Sequence, residues 1–166
     1  RSSDRTSRRW KPCASTSTSW SEISARKCRA EDFCFLLVSS GGFQYIINSQ
    51  LADTISYYDY AENFYHGFMA GLLVNIGGYR VKSNRESGNG RPDIVMQTVQ
   101  VRKGRVILLE LKIAGSIAEM EAACDRALAQ IEAQHYAEPF ITEGYPEVKK
   151  YALSFCKKEC MVKKAE

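Results

Sequence analysis

The stretch over residues 106–113 constrains this chain most. It reads VILLELKI, and without Glu110 and Lys112 it would be an unbroken run of apolar, mostly branched side chains. Such a run is expected of a strand buried on both faces. Successive strand side chains point to opposite faces, so Glu110 and Lys112 share one face. Two charges on an otherwise apolar strand are costly unless they are paired or bind an ion. A second strand is expected over 91–99, with Asp93 near its start, and Arg102, Lys103, Gly104 and Arg105 read as the turn between the two. A hairpin of this length brings Asp93 beside Glu110. Two carboxylates and a lysine then converge, which is the equipment for holding a divalent cation against a phosphate. The plainer alternative is that Glu110 and Lys112 form only an ion pair in a protein-interaction domain.

The order Pro92-Asp93, then Glu110-x-Lys112 within an apolar strand, resembles the PD-(D/E)XK nuclease superfamily. Longer blocks at 53–60 (DTISYYDY), 64–68 (FYHGF), 83–88 (SNRESG) and 90–94 (GRPDI) resemble one bacterial branch, the nuclease-like domain at the C-terminal end of AAA-ATPase-like proteins. The resemblance covers residues 51–164. It implies a restriction-endonuclease-like α/β sandwich, with a central mixed β-sheet flanked by helices. It also implies a phosphodiester hydrolase that uses Mg²⁺, with Mn²⁺ as substitute. Asp93 and Glu110 would be the metal ligands and Lys112 the catalytic cation. The implied partners are nucleic acid, DNA first, and an upstream AAA-ATPase-like domain, in a cytoplasmic setting. The alternative reading is a catalytically silent module of the same fold that binds nucleic acid or regulates the upstream domain. No G-x-x-x-x-G-K-[ST] phosphate loop is present, so no ATPase activity is assigned to this chain.

A chain of 166 residues suffices for one domain and an extension. The division expected is a poorly defined leader or upstream remnant over 1–50 and the nuclease-like domain over 51–166. No apolar run approaches the roughly 20 residues of a membrane span, so no membrane partner is expected. The N-terminus lacks the apolar core of a signal peptide, and Arg1 in place of an initiator suggests a fragment or processed chain. The net charge of +4 permits a nucleic-acid partner without demanding one. Cysteines stand at 13, 28, 34, 124, 156 and 160 without a C-x-x-C pair. Cys156 and Cys160 have no companion pair to complete a zinc site, so free buried thiols in a reducing cytosol are expected.

Along the chain, residues 1–30 are basic and rich in Ser and Thr, with isolated Trp10 and Trp20. They read as a disordered leader rather than a nucleic-acid-binding arm. The apolar segments 33–38 and 43–47 flank Ser39-Ser40-Gly41-Gly42 and suggest a short hairpin or the remnant of a preceding domain. Over 61–76 the pattern turns helical, with Phe64, Tyr65, Phe68, Met69, Leu72, Leu73 and Ile76 on one face and Gly77-Gly78 as the stop. Glu62 and His66 share one edge of that helix. They read as a surface edge or, as the resemblance implies, as support for the metal site, His66 foremost.

Residues 79–83 alternate as in a half-exposed strand. The glycine-rich loop 84–90 suits close approach to a ligand. Arg85 and Arg91 are candidate phosphate contacts and Glu86 a candidate metal ligand. A solvated loop salt bridge explains Arg85 and Glu86 equally well. Ser116-Ile117-Ala118-Glu119 matches a capping box that starts a helix at Ser116, with Ile117, Met120, Cys124, Leu128 and Ile131 as its core stripe. Gln130 lies to one side; the resemblance implies that it faces the site, with Tyr136 beyond at an unusual spacing. His135 reads as a cation capping the helix end. Two strands, 150–156 and 160–164, close the pattern around Lys157-Lys158-Glu159.

Overall fold

The computed structural model describes residues 40–54, 62–74, 76–83 and 88–165. Residues 1–30 of the expected leader, the segment 33–38, most of the 53–60 block, Arg85 and Glu86 lie outside the described residues. The elements run α1 (Ser40–Thr54), α2 (Glu62–Val74), β1 (Tyr79–Ser83), β2 (Ile94–Thr98), β3 (Arg105–Ile113), α3 (Met120–Ala133), α4 (Glu138–Glu143), β4 (Glu147–Cys156) and β5 (Glu159–Lys164). The sheet order is β1-β2-β3-β4-β5. All pairings are antiparallel except β3 with β4, which are parallel and joined through α3 and α4. This is the restriction-endonuclease-like α/β sandwich with a mixed sheet.

The β2–β3 hairpin sets the register on which the site depends. Ile94 pairs with Leu109 and Gln97 with Val106, so Asp93 stands opposite Glu110. The connection is closed by Thr98, whose Oγ1 accepts the Arg105 N–H at 2.9 Å. Gly104 fits beneath it because it lacks a side chain. A Cβ there would lie 1.8 Å from Thr98 Oγ1 and 2.1 Å from the Gln100 carbonyl oxygen.

Alternate residues of the strands build two different layers. One face carries Ile94, Met96, Ile107, Leu109, Leu111, Tyr151, Leu153 and Phe155, packed against α1 and α2. Tyr65 of α2 stacks on Phe155 with ring centroids 4.6 Å apart, and its hydroxyl donates to the Lys157 carbonyl at the β4–β5 turn. The opposite face carries Val95, Val106 and Leu108 under Ile131, Tyr136 and Phe140, then Ala152 under Cys124 and Ala127.

Residues 43–47 are helical, which corrects the expected hairpin. Phe43, Ile47 and Leu51 recur every fourth residue and are fully buried, each worth about 1.5–3 kcal/mol of apolar burial. The same helix covers the sheet edge at β5: Asn48 Oδ1 accepts the Cys160 N–H at 2.6 Å and Gln44 Oε1 accepts that of Val162 at 3.0 Å. Outward strand amides are thereby satisfied rather than left to pair with another chain. The boundary expected at Leu51 falls inside this helix.

Two further expectations are revised at the ends of α3. Ser116 precedes a single 3-10 turn, Ile117–Glu119, and the α-helix starts at Met120. The Ser116 hydroxyl bonds the Glu119 carboxylate instead of a helix amide, and Ile117 is 66 % exposed rather than part of the core stripe. At the other end the backbone itself caps the helix. His135 takes the left-handed conformation (φ 55°), its N–H donating to the Glu132 carbonyl and that of Tyr136 to Ile131. The His135 imidazole meets Glu138 of α4 at 2.8 Å rather than the last carbonyls of α3.

Candidate active site

Asp93 and Glu110 face each other across the β2–β3 ladder, on the α3 side of the sheet. Asp93 sits at a bend just before β2, after the buried Pro92. Its Oδ2 accepts the Leu111 N–H at 2.7 Å, which fixes the carboxylate against β3. Glu110 is 1 % exposed. Lys112, two residues on and on the same face, donates to Glu110 Oε1 at 3.0 Å. The other carboxylate oxygen, Oε2, is buried with no hydrogen-bond partner.

Both carboxyl groups titrate above their ordinary range. Burial raises Glu110 first, the charge of Asp93 raises it further, and Lys112 opposes both; the result is pushed up to about 7. Burial also raises Asp93, opposed by the Leu111 N–H and by the charge of Lys112. Like charges on neighbouring strands resist joint ionisation, and a cation between them would remove that resistance. The unpartnered Oε2 and the opposed carboxylates therefore fit a divalent ion. Mg²⁺ is commonly held through one or two carboxylates with water filling the remaining positions. Among the described residues no group of three or more His, Cys, Asp and Glu side chains is placed to hold a metal, and Asp93 and Glu110 are the carboxylates that meet here.

His66 of α2 reaches the same point from the other layer. Its Nε2 lies 3.0 Å from the Asp93 carbonyl oxygen and 3.1 Å from Ser83 Oγ. A carbonyl only accepts, so Nε2 carries the proton and donates to it. His66 thus holds the backbone of Asp93 rather than a metal. Arg91 is exposed two residues before Asp93. Gln130 is half-buried on α3 and donates through Nε2 to Tyr136 Oη at 3.4 Å. It makes no bond to Asp93, Glu110 or Lys112.

Tyr136 has a use that spacing along the chain did not reveal. Its ring packs on the loop leading to Asp93: a Cβ on Gly90 would lie 3.1 Å from Tyr136 Oη. Asn89 N–H donates to the Gln134 carbonyl at 2.9 Å, and Gly88 (φ +60°) sits so close that a Cβ would lie 2.4 Å from the same oxygen. Gly88 and Gly90 of this loop approach the end of α3. Gln130, Tyr136 and the loop form one chain of contacts from helix to carboxylate strand. Ser154 of β4 is a residue that sequence reasoning passed over; it stands beside Lys112 in the parallel register.

The sandwich, and a carboxylate pair beside a lysine on its central hairpin, define a nuclease-type α/β fold. Residues 60–165 match the model of the PD-(D/E)XK nuclease superfamily, and the chain belongs to that superfamily. Its members are usually nucleases that use divalent metals. No curated protein and no solved structure matches the chain.

Proposed function

We propose that this domain is a Mg²⁺-dependent nuclease that hydrolyses phosphodiester bonds in nucleic acid, DNA first, with Mn²⁺ able to replace Mg²⁺. The single observation that carries the reading is the opposition of the Asp93 and Glu110 carboxyl groups across the hairpin, with Lys112 beside them. A divalent ion held there would polarise the scissile phosphate and lower the pKa of a bound water. Asp93 and Glu110 hold the ion, with Glu86 as a further ligand. Lys112 orients the attacking water and stabilises negative charge as it builds on the phosphate. His66 keeps Asp93 in place through its carbonyl, and Gln130 steadies the Asp93 loop through Tyr136. Arg85 and Arg91 contact phosphates flanking the cleaved bond.

The resemblance of the motif blocks to C-terminal domains of AAA-ATPase-like proteins makes an upstream ATPase-like domain the partner we propose. The buried free thiols of Cys124, Cys156 and Cys160 suit a reducing cytoplasm. Among the described residues no helix is long and apolar enough to cross a membrane.

One observation favours a rival: the Lys112–Glu110 bond is what a purely structural ion pair would look like. Calorimetric titration of Mn²⁺ into the intact chain and into Asp93→Ala separates the two. The nuclease reading expects binding to the first and none to the second, together with cleavage of labelled DNA or RNA in the presence of Mg²⁺ or Mn²⁺. Binding without cleavage of any substrate supports the silent module, and no binding to the intact chain supports the ion pair.

A further inference from the structure

Two buried side-chain atoms among the described residues lack a hydrogen-bond partner, Glu110 Oε2 and Ser154 Oγ. They are close neighbours in the fold. In the parallel pairing of β3 with β4, Glu110 stands beside Ala152 and Lys112 beside Ser154. Residues paired in this way point to the same face, so Ser154 lies diagonally across from Glu110 on the face that α3 covers. Cys124 of α3 packs over Ala152 there, its thiol facing the Ala152 and Met161 carbonyls. Ser154 is itself fully buried, within the closed run from Tyr151 to Cys156. A lone buried hydroxyl without a partner costs free energy that alanine at the same place would not. Two such atoms on adjoining strands of one face are the setting in which a buried water is held, since such waters satisfy otherwise unpaired polar groups.

We infer that Ser154 is a positioning residue of the nuclease site: its hydroxyl and Glu110 Oε2 share one buried water that fixes the free oxygen of the metal-binding carboxylate. A hydroxyl suits the task because it donates and accepts through one small atom. The inference rests on the metal-site reading of Asp93 and Glu110. Removing a group that orients a metal-binding side chain weakens metal affinity even though the group never touches the metal.

The experiment compares the intact chain with Ser154→Ala, Ser154→Thr and Ser154→Val, by Mn²⁺ calorimetry and by melting without metal. Ser154→Ala is expected to bind Mn²⁺ about tenfold more weakly, with an unchanged or slightly lowered metal-free melting temperature, because the buried water loses one partner. Thr and Val have the same shape and share any crowding, so the hydroxyl alone accounts for the difference between them. The Thr variant is expected to bind Mn²⁺ about tenfold more tightly than the Val variant. Equal affinity of Ser154→Ala and the intact chain, or of the Thr and Val variants, would overturn the role of Ser154 and leave the metal site standing. An intact chain that binds no Mn²⁺ would overturn the metal site, and this inference with it.

Discussion

The two faces of the central sheet are made by the same strands and differ in nearly everything else. Leu109 and Leu111 point into a layer of aliphatic and aromatic side chains from α1 and α2. Glu110, between them, points the other way, with Lys112 and Ser154 beside it. Under α3 the layer splits: Val95, Val106 and Leu108 make an apolar half, while small residues, Ala123, Cys124, Ala127 and Ala152, surround the polar half. Depth is similar on both sides, since Leu109 and Glu110 are each almost wholly enclosed. Burial therefore serves stability on one face. On the other it raises the pKa values of the two carboxyl groups proposed to hold a cation. A fold can tolerate a poorly satisfied face because the opposite one is so well packed.

This division is open to direct test. The largest effect is expected from removing the helix that completes the apolar face. A chain begun at Leu51 loses Phe43 and Ile47, about 1.5–3 kcal/mol each, and the covering of β5 by Gln44 and Asn48. It should melt far below a chain begun at Ser40; equal melting temperatures would show α1 to be expendable. Next is Leu109→Ala, expected to cost about 2–5 kcal/mol in urea unfolding, where a loss under 1 kcal/mol would mean that the apolar face is loosely packed.

On the polar face the effects move from stability to chemistry. Lys112→Ala should lower the cleavage rate by about 10²–10³ while leaving Mn²⁺ affinity nearly intact, because a protonated amine is no metal ligand. Equal losses of metal affinity and stability would instead mark it as a structural partner of Glu110. Glu110→Gln should leave the metal-free melting temperature unchanged or raised. The same substitution should erase the stabilisation by Mn²⁺, about 2.7 kcal/mol at a hundredfold excess over the dissociation constant. A marked drop without metal would place Glu110 among the structural ion pairs.

The smallest effect is one of pH. Glu110 titrates near 7 in the folded chain against an ordinary 4.5. Between those values the folded chain keeps a proton that the unfolded chain has released, so metal-free stability falls as pH rises through the window. Asp93 shifts in the same direction. The decline should be no steeper than about 1.4 kcal/mol per pH unit for this group and should flatten in Glu110→Gln. A parent curve that rises across the window would contradict the buried-carboxylate account.

The polar face was the more legible of the two in the amino-acid sequence. Charges inside the run at 106–113 have few structural explanations, and the hairpin length that pairs Asp93 with Glu110 could be counted. The five strands and α2 followed from alternation and from the fourfold spacing of Tyr65, Met69 and Leu73. α1 was misread because Gly41-Gly42 looks like a turn, although Phe43, Ile47 and Leu51 already carried a helical period. The start of α3 slipped because Ser116 and Glu119 satisfy each other as well as a helix amide. Ser154 went unnoticed, and Tyr136 was named only for its place after Gln130, for a different reason. Their importance lies in neighbours more than 30 positions away, Lys112 and Gly90, and no local pattern records such a meeting.

Hairpin loops are ordinarily where a chain accepts extra residues. The connection around Gly104 is better regarded as a ruler. Its length decides which β3 side chain faces Asp93, and Thr98 locks the measurement by sitting where a side chain at 104 would be. A single residue inserted there, if absorbed by sliding β3, would present Leu109 or Leu111 to Asp93 and send Glu110 into the apolar layer. Loop grafts, tags and domain insertions in this protein therefore belong at other connections. Variation in the length of this one would be a sign of lost chemistry long before any catalytic residue had changed.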